Sequence, residues 1–184
     1  MTKVSFSASL LASAGLLFGS SGNAADPAAP LPKPAQHHFA MKKDGKEITA
    51  GGNSFVVKLG AADTEGRYTI QDETWPTSFK VGPHYHKEHA ETFYMLDGQL
   101  SWTVGGETRI IGAGDLVYIP PNTVHSVFVV GSKPAHVLFI YSPGGYEHNE
   151  EREREYTAEQ LKQPEIQRKL NKASDFNPVG PQSP

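Results

Sequence analysis

The chain has 184 residues, a formal net charge of -3 and no cysteine. That length suits one domain; the lack of cysteine removes disulfide frameworks, thiolate metal sites and thiol nucleophiles; and no Lys/Arg-rich run marks a nucleic-acid binder. With 18 Gly, 14 Pro and a 38% apolar share, the composition points to many short elements joined by turns around a packed core.

Lys3 supplies a positive start, residues 8–19 are an apolar run too short to cross a membrane, and Gly22 and Ala24 hold the small-residue positions before a cut between Ala24 and Ala25. Residues 1–24 read as a secretory signal peptide, which predicts a periplasmic or secreted protein with no membrane association once it is removed. Residues 25–40 follow as a Pro-rich linker, with four prolines between Asp26 and Gln36.

From Phe55 the pattern turns to strands. Phe55–Leu59, Arg67–Gln71 and Thr77–Val81 are β-branched or aromatic runs separated by Gly, Asp and Pro. Thr92–Leu96 ends at Asp97-Gly98, a tight-turn dipeptide, and Leu100–Val104 alternates with period two. Gly105-Gly106 is a hairpin signal before Thr108–Ile111; Asp115–Ile119, Val124–Val130 and His136–Tyr141 complete the series. Strands spaced by about ten residues, with turn signals between them, predict one closed or sandwiched all-β domain over residues 41–146.

Residues 147–184 have a different character and read as a helical extension and tail. Glu147–Glu155 is a charge run, expected to be a solvated face or loop. Thr157-Ala158-Glu159-Gln160 is a capping box opening a short helix. Pro164 opens another, with Ile166, Leu170 and Ala173 on one side. These helices are expected to pack outside the barrel, and the tail from Asn177 is expected to be coil.

The chemistry concentrates in Gly82–Glu91, which holds His84, His86, Glu88, His89 and Glu91. On a strand, His84 and His86 share a face; a bend through Lys87–Ala90 brings Glu91 to the same point. His125 supplies a fourth ligand if its strand lies across the barrel. Three imidazoles and one carboxylate suit a divalent transition metal ion better than Ca or Mg. His89 is read as exposed, and His37, His38, His136 and His148 have no spacing that brings them to the site.

The spacing His84-x-His86, four residues, Glu91, six residues, Gly98 resembles the first motif of the cupin superfamily. Gly114, five residues, Pro120, then Asn122 and His125 resembles the second. Asn122 stands where the family usually has Gly and tolerates the same left-handed turn; Val129 stands where Asn is often found. The resemblance implies an all-β cupin barrel (a double-stranded β-helix or jelly roll) holding one divalent ion (Cu, Zn, Ni, Fe, Mn or Co) on His84, His86, Glu91 and His125. A homodimer is what the family suggests.

The segments Tyr141–Glu147 and Asp175–Pro181 look like those of single-barrel cupins similar to quercetin 2,3-dioxygenase. That likeness implies a metal-dependent dioxygenase for a small enolic or aromatic substrate, with Glu91 as catalytic proton acceptor. Its pocket walls would come from Phe93, Tyr94, Met95, Trp102, Tyr118 and Phe128, half of which alternation must turn inward. Two alternatives stand beside it: a metal-dependent lyase or isomerase on a small carboxylate or sugar, with Glu91 or Tyr94 as base, and a non-catalytic periplasmic binding module.

Overall fold

The computed structural model describes residues 37–50 and 53–180; the expected signal peptide at 1–24 and most of the expected linker lie outside the described residues. The strands are β1 (Lys46–Ala50), β2 (Asn53–Leu59), β3 (Thr69–Trp75), β4 (Lys80–Tyr85), β5 (Ala90–Asp97) and β6 (Gln99–Val104), then β7 (Glu107–Gly112), β8 (Leu116–Ile119), β9 (His125–Val129), β10 (Ala135–Ser142) and β11 (Asn177–Pro178). Two antiparallel sheets face each other, one ordered β1-β2-β3-β10-β5-β8 and the other β11-β4-β9-β6-β7. This is the double-stranded β-helix expected, with α1 (Glu147–Glu153), α2 (Ala158–Leu161) and α3 (Pro164–Ala173) after it.

Alternation builds the core. On β10, Ala135, Val137, Phe139 and Tyr141 are buried while the residues between them are half-exposed. Phe93 and Met95 of β5 meet Phe139 and Val137 across the sheet. Leu100 and Trp102 of β6 close the core from the facing sheet. Each such large apolar side chain contributes about 1.5–3 kcal/mol on burial.

The turn residues act as their types require, in one case differently from expectation. Gly105 and Gly106 have φ of 58° and 90° and close a two-residue hairpin with Val104 opposite Glu107, as the type I′ turn demands. Asp97-Gly98 is not a hairpin turn: β5 and β6 lie in different sheets, so it is a corner between layers. Gly98 is needed there, since its φ is 76° and a Cβ would sit 2.5 Å from the Pro134 carbonyl oxygen.

Several boundaries differ from the expectation. β1, a short polar run, pairs with β2 and carries no strand signal beyond Ile48. β3 runs on through Asp72 and Glu73, because Glu73 turns into the barrel and accepts a hydrogen bond from Trp75 Nε1 at 2.6 Å. The charge run at 147–155 is not a solvated loop. It begins with α1, whose Glu147 and Glu150 are buried against the end of the barrel. Thr69 Oγ1 donates to Glu147 and Gln71 Nε2 to Glu150 at 2.8 Å, so these two inward residues of β3 are paired by acidic side chains from the helix. The Thr157 capping box is present. On α3, Ile166 and Leu170 turn inward while Ala173 is exposed.

Candidate metal centre

β4 and β9 are neighbours, with His84 directly opposite His125. His125 therefore comes from the adjacent strand of the same sheet, and Glu91 arrives from the facing sheet. His86 follows β4 in the loop, its carbonyl accepting from Asn122 N at 2.6 Å. Asn122 has φ of 62°, the left-handed conformation for which the usual residue is Gly. All four side chains are buried, and one ligand atom from each lies within 4.8 Å of the others.

Hydrogen bonds fix the tautomers. His84 Nδ1–H donates to the Gly82 carbonyl at 2.8 Å and His125 Nδ1–H to the Thr123 carbonyl at 2.8 Å. His86 Nδ1–H is shared between the Asp175 carbonyl at 2.9 Å and the Tyr141 oxygen at 3.0 Å. A carbonyl only accepts, so each Nδ1 holds the proton and each Nε2 presents a lone pair. Burial, reinforced by the neighbouring His125, pushes the His84 imidazole down to about 3, which keeps it neutral.

The Nε2 atoms of His86 and His125 are buried without a hydrogen-bond partner. They lie 3.2 and 3.0 Å from the two oxygens of Glu91. Lone pairs thus face lone pairs in a space closed to water, an arrangement that costs several kcal/mol unless a cation lies between them. The donor set, three imidazole nitrogens and one carboxylate, fits a divalent transition metal ion.

The C-terminal segment braces this centre. β11 pairs with β4, placing Pro178 opposite His84, and the Phe176 ring stacks on His84 at 4.2 Å. Asp175, with φ of 52°, turns its carbonyl to His86 and its carboxylate to Glu88 N at 2.7 Å and His89 Nδ1 at 3.2 Å. Asn177–Pro178 at the start of the tail, expected to be coil, therefore form a short strand. His89 is largely buried and paired, contrary to the exposed reading. Sequence spacing gives no hint that residues 84 and 176 meet, because a helical excursion separates them.

Beside the ligands lies a cavity of about 210 Å³, bordered by His84, Glu91 and His125. Phe93 and Trp102 of the six expected wall residues line it. Met95 is inward but lies in the core away from the cavity. Tyr94, Tyr118 and Phe128 turn outward, with 39%, 57% and 52% exposure. Tyr94 and Phe128 fall on odd steps from the inward residues Phe93 and Val127; Tyr118 pairs with the outward Thr92. The walls that were not foreseen include Glu73, Phe139, Tyr146, Glu150 and Phe176.

Residues 72–141 match the model of the cupin domain. Over 85 residues the chain is 33% identical to an uncharacterized protein of Methanocaldococcus jannaschii, covering 46% of this chain and 68% of that one. The chain belongs to the cupin family. It is also 30% identical over 118 residues to quercetin 2,3-dioxygenase of Bacillus subtilis, covering 64% of this chain and 34% of that enzyme. The cupin described here thus spans about a third of that relative's length. Its fold is similar to that of KdgF from Halomonas sp., with a TM-score of 0.54, 17% identity, and coverage of 61% of this chain and 99% of that one.

One consequence of the buried acids is pH-dependent. Burial, together with the charge of Glu73, raises Glu150 to about 9. Between the ordinary carboxyl range and pH 9 the folded chain holds a proton that the unfolded chain releases, so stability falls as pH rises through that window. Glu150→Gln keeps the acceptor for Gln71 and removes the titrating proton. Thermal melts should show the variant more stable than wild type at pH 8, by about 1–3 kcal/mol, and the gain should vanish at pH 4. An equal difference at both pH values would contradict a protonated Glu150.

Proposed function

We propose that this cupin is a metal-dependent dioxygenase of the quercetinase-like type, acting on a small enolic or aromatic substrate. The observation that carries the reading is the double position of Glu91. Its carboxylate touches two ligand imidazoles and also borders the cavity, so it can move between holding the metal and taking a proton from a substrate hydroxyl. The similarity to quercetin 2,3-dioxygenase supports the same class. A divalent transition metal ion on His84, His86, Glu91 and His125 would supply Lewis-acid and dioxygen chemistry at the cavity floor.

The chain's own residues do the rest. Glu91 accepts the enolic proton. Phe93, stacked on Phe139 at 4.2 Å, and Trp102 flank the ring-sized space and exclude water. Phe176 and Tyr146 cover it from the C-terminal segments. The cavity is smaller than the roughly 300–1,000 Å³ of pockets for drug-sized ligands, which favours substrates smaller than a flavonol. The leader-like residues 1–24 support export, and residues 41–146 then form the catalytic barrel with 147–184 as its cover.

Oxygen uptake tests the reading. Metal-loaded protein is expected to consume dioxygen in step with loss of a catechol, and not under the same conditions when His84 and His86 are both Ala. Product formed under nitrogen would point to a lyase or isomerase instead. Substrate retained without any product would point to a binding module.

A further inference from the structure

We infer that the end of the cavity remote from the metal ligands is a hydrogen-bond-donating subsite, built by Trp102 with Glu73 and Glu150, for an uncharged oxygen acceptor on a small single-ring substrate. This rests on the dioxygenase reading for the other end, where the substrate's hydroxyl oxygens meet the metal ligands.

Register sets the distances. Glu91 pairs with Tyr141, Phe93 with Phe139 and Met95 with Val137; Val137 in turn pairs with Glu73. Glu73 is thus four residues along the ladder from Glu91, about 13 Å by strand rise. On the other sheet Val104 pairs with His125 and Trp102 with Val127. Trp102 is one inward step beyond His125, with the two rings 6.2 Å apart. Metal ligands, indole and carboxyls therefore follow one another along one cavity.

The Trp102 indole points to a ligand independently of the acids. Trp102 is 2% exposed, lines the cavity, and its Nε1–H has no acceptor. An unpaired buried donor is costly, and a bound oxygen would pair it. The acids specify what kind of oxygen. Glu73 is raised to about 7, by burial and by the charges of Glu91 and Asp72 against the Trp75 hydrogen bond; Glu150 is raised further. Neither Lys nor Arg lines the cavity. At pH 8 Glu150 keeps its proton and can donate, while Glu73 is ionised, so a carbonyl or hydroxyl is accepted at this end, whereas a second carboxylate or a phosphate would meet the Glu73 charge.

The test uses the zinc-loaded full chain, redox-inert, titrated at pH 8 with catechol, protocatechualdehyde and protocatechuate. Wild type should bind the aldehyde about tenfold more tightly than catechol. Trp102→Phe keeps a ring in place and removes the donor, so it should bring that ratio close to one. An unchanged ratio in this variant overturns the subsite. Glu73→Gln removes the charge, and protocatechuate should then bind several-fold more tightly; a misfolded protein cannot imitate that gain, and its absence also overturns the inference. If catechol itself fails to bind, the metal-centred substrate reading falls and takes the subsite with it. Catechol bound with unchanged ratios removes the subsite alone.

Discussion

Glu91→Gln is expected to abolish turnover, with kcat reduced by at least about 100-fold, and to weaken metal binding measurably. The substitution keeps the size of the side chain and both its polar atoms. It removes the negative charge that faces the Nε2 atoms of His86 and His125 at 3.2 and 3.0 Å. The amide cannot accept a proton from a substrate hydroxyl, so loss of the base and loss of charge act together. Two measurements separate them: kcat at saturating metal reports the base, and competition with a chelator reports the ligand. Full turnover in the variant at saturating metal would remove Glu91 from the proton transfer.

Legibility in the sequence followed the local character of each feature. The ligand set was readable because His84, His86 and Glu91 lie within eight consecutive positions, two of them a single alternation apart at the end of β4. His125 was readable through its motif, although its strand is adjacent to β4 and not across the barrel. The hairpin at Gly105-Gly106 was readable because two positive φ angles demand those residues.

What was not readable depends on long-range partners. β3 buries Thr69, Gln71 and Glu73, an inward face whose polarity conceals its burial. Glu147 and Glu150, nearly eighty positions later, pair Thr69 and Gln71, and Trp75 pairs Glu73. The same pairing turns a run of charges, which alone reads as solvated, into a helix with two buried acids. The bracing of His86 by Asp175 likewise joins residues 89 positions apart. The inward or outward fate of Tyr94, Tyr118 and Phe128 was a matter of register, and a shift by one residue reverses a face.

Metal analysis of the purified chain, beside a variant with His84 and His86 both changed to Ala, tests the central claim most directly. The paired Nδ1 protons, the two buried Nε2 lone pairs and the carboxylate between them predict about one transition-metal ion per wild-type chain after loading and dialysis. The double variant should hold almost none while keeping its fold, as judged by circular dichroism. Metal absent from both after loading, or retained equally by both, would contradict a metal centre at these four residues.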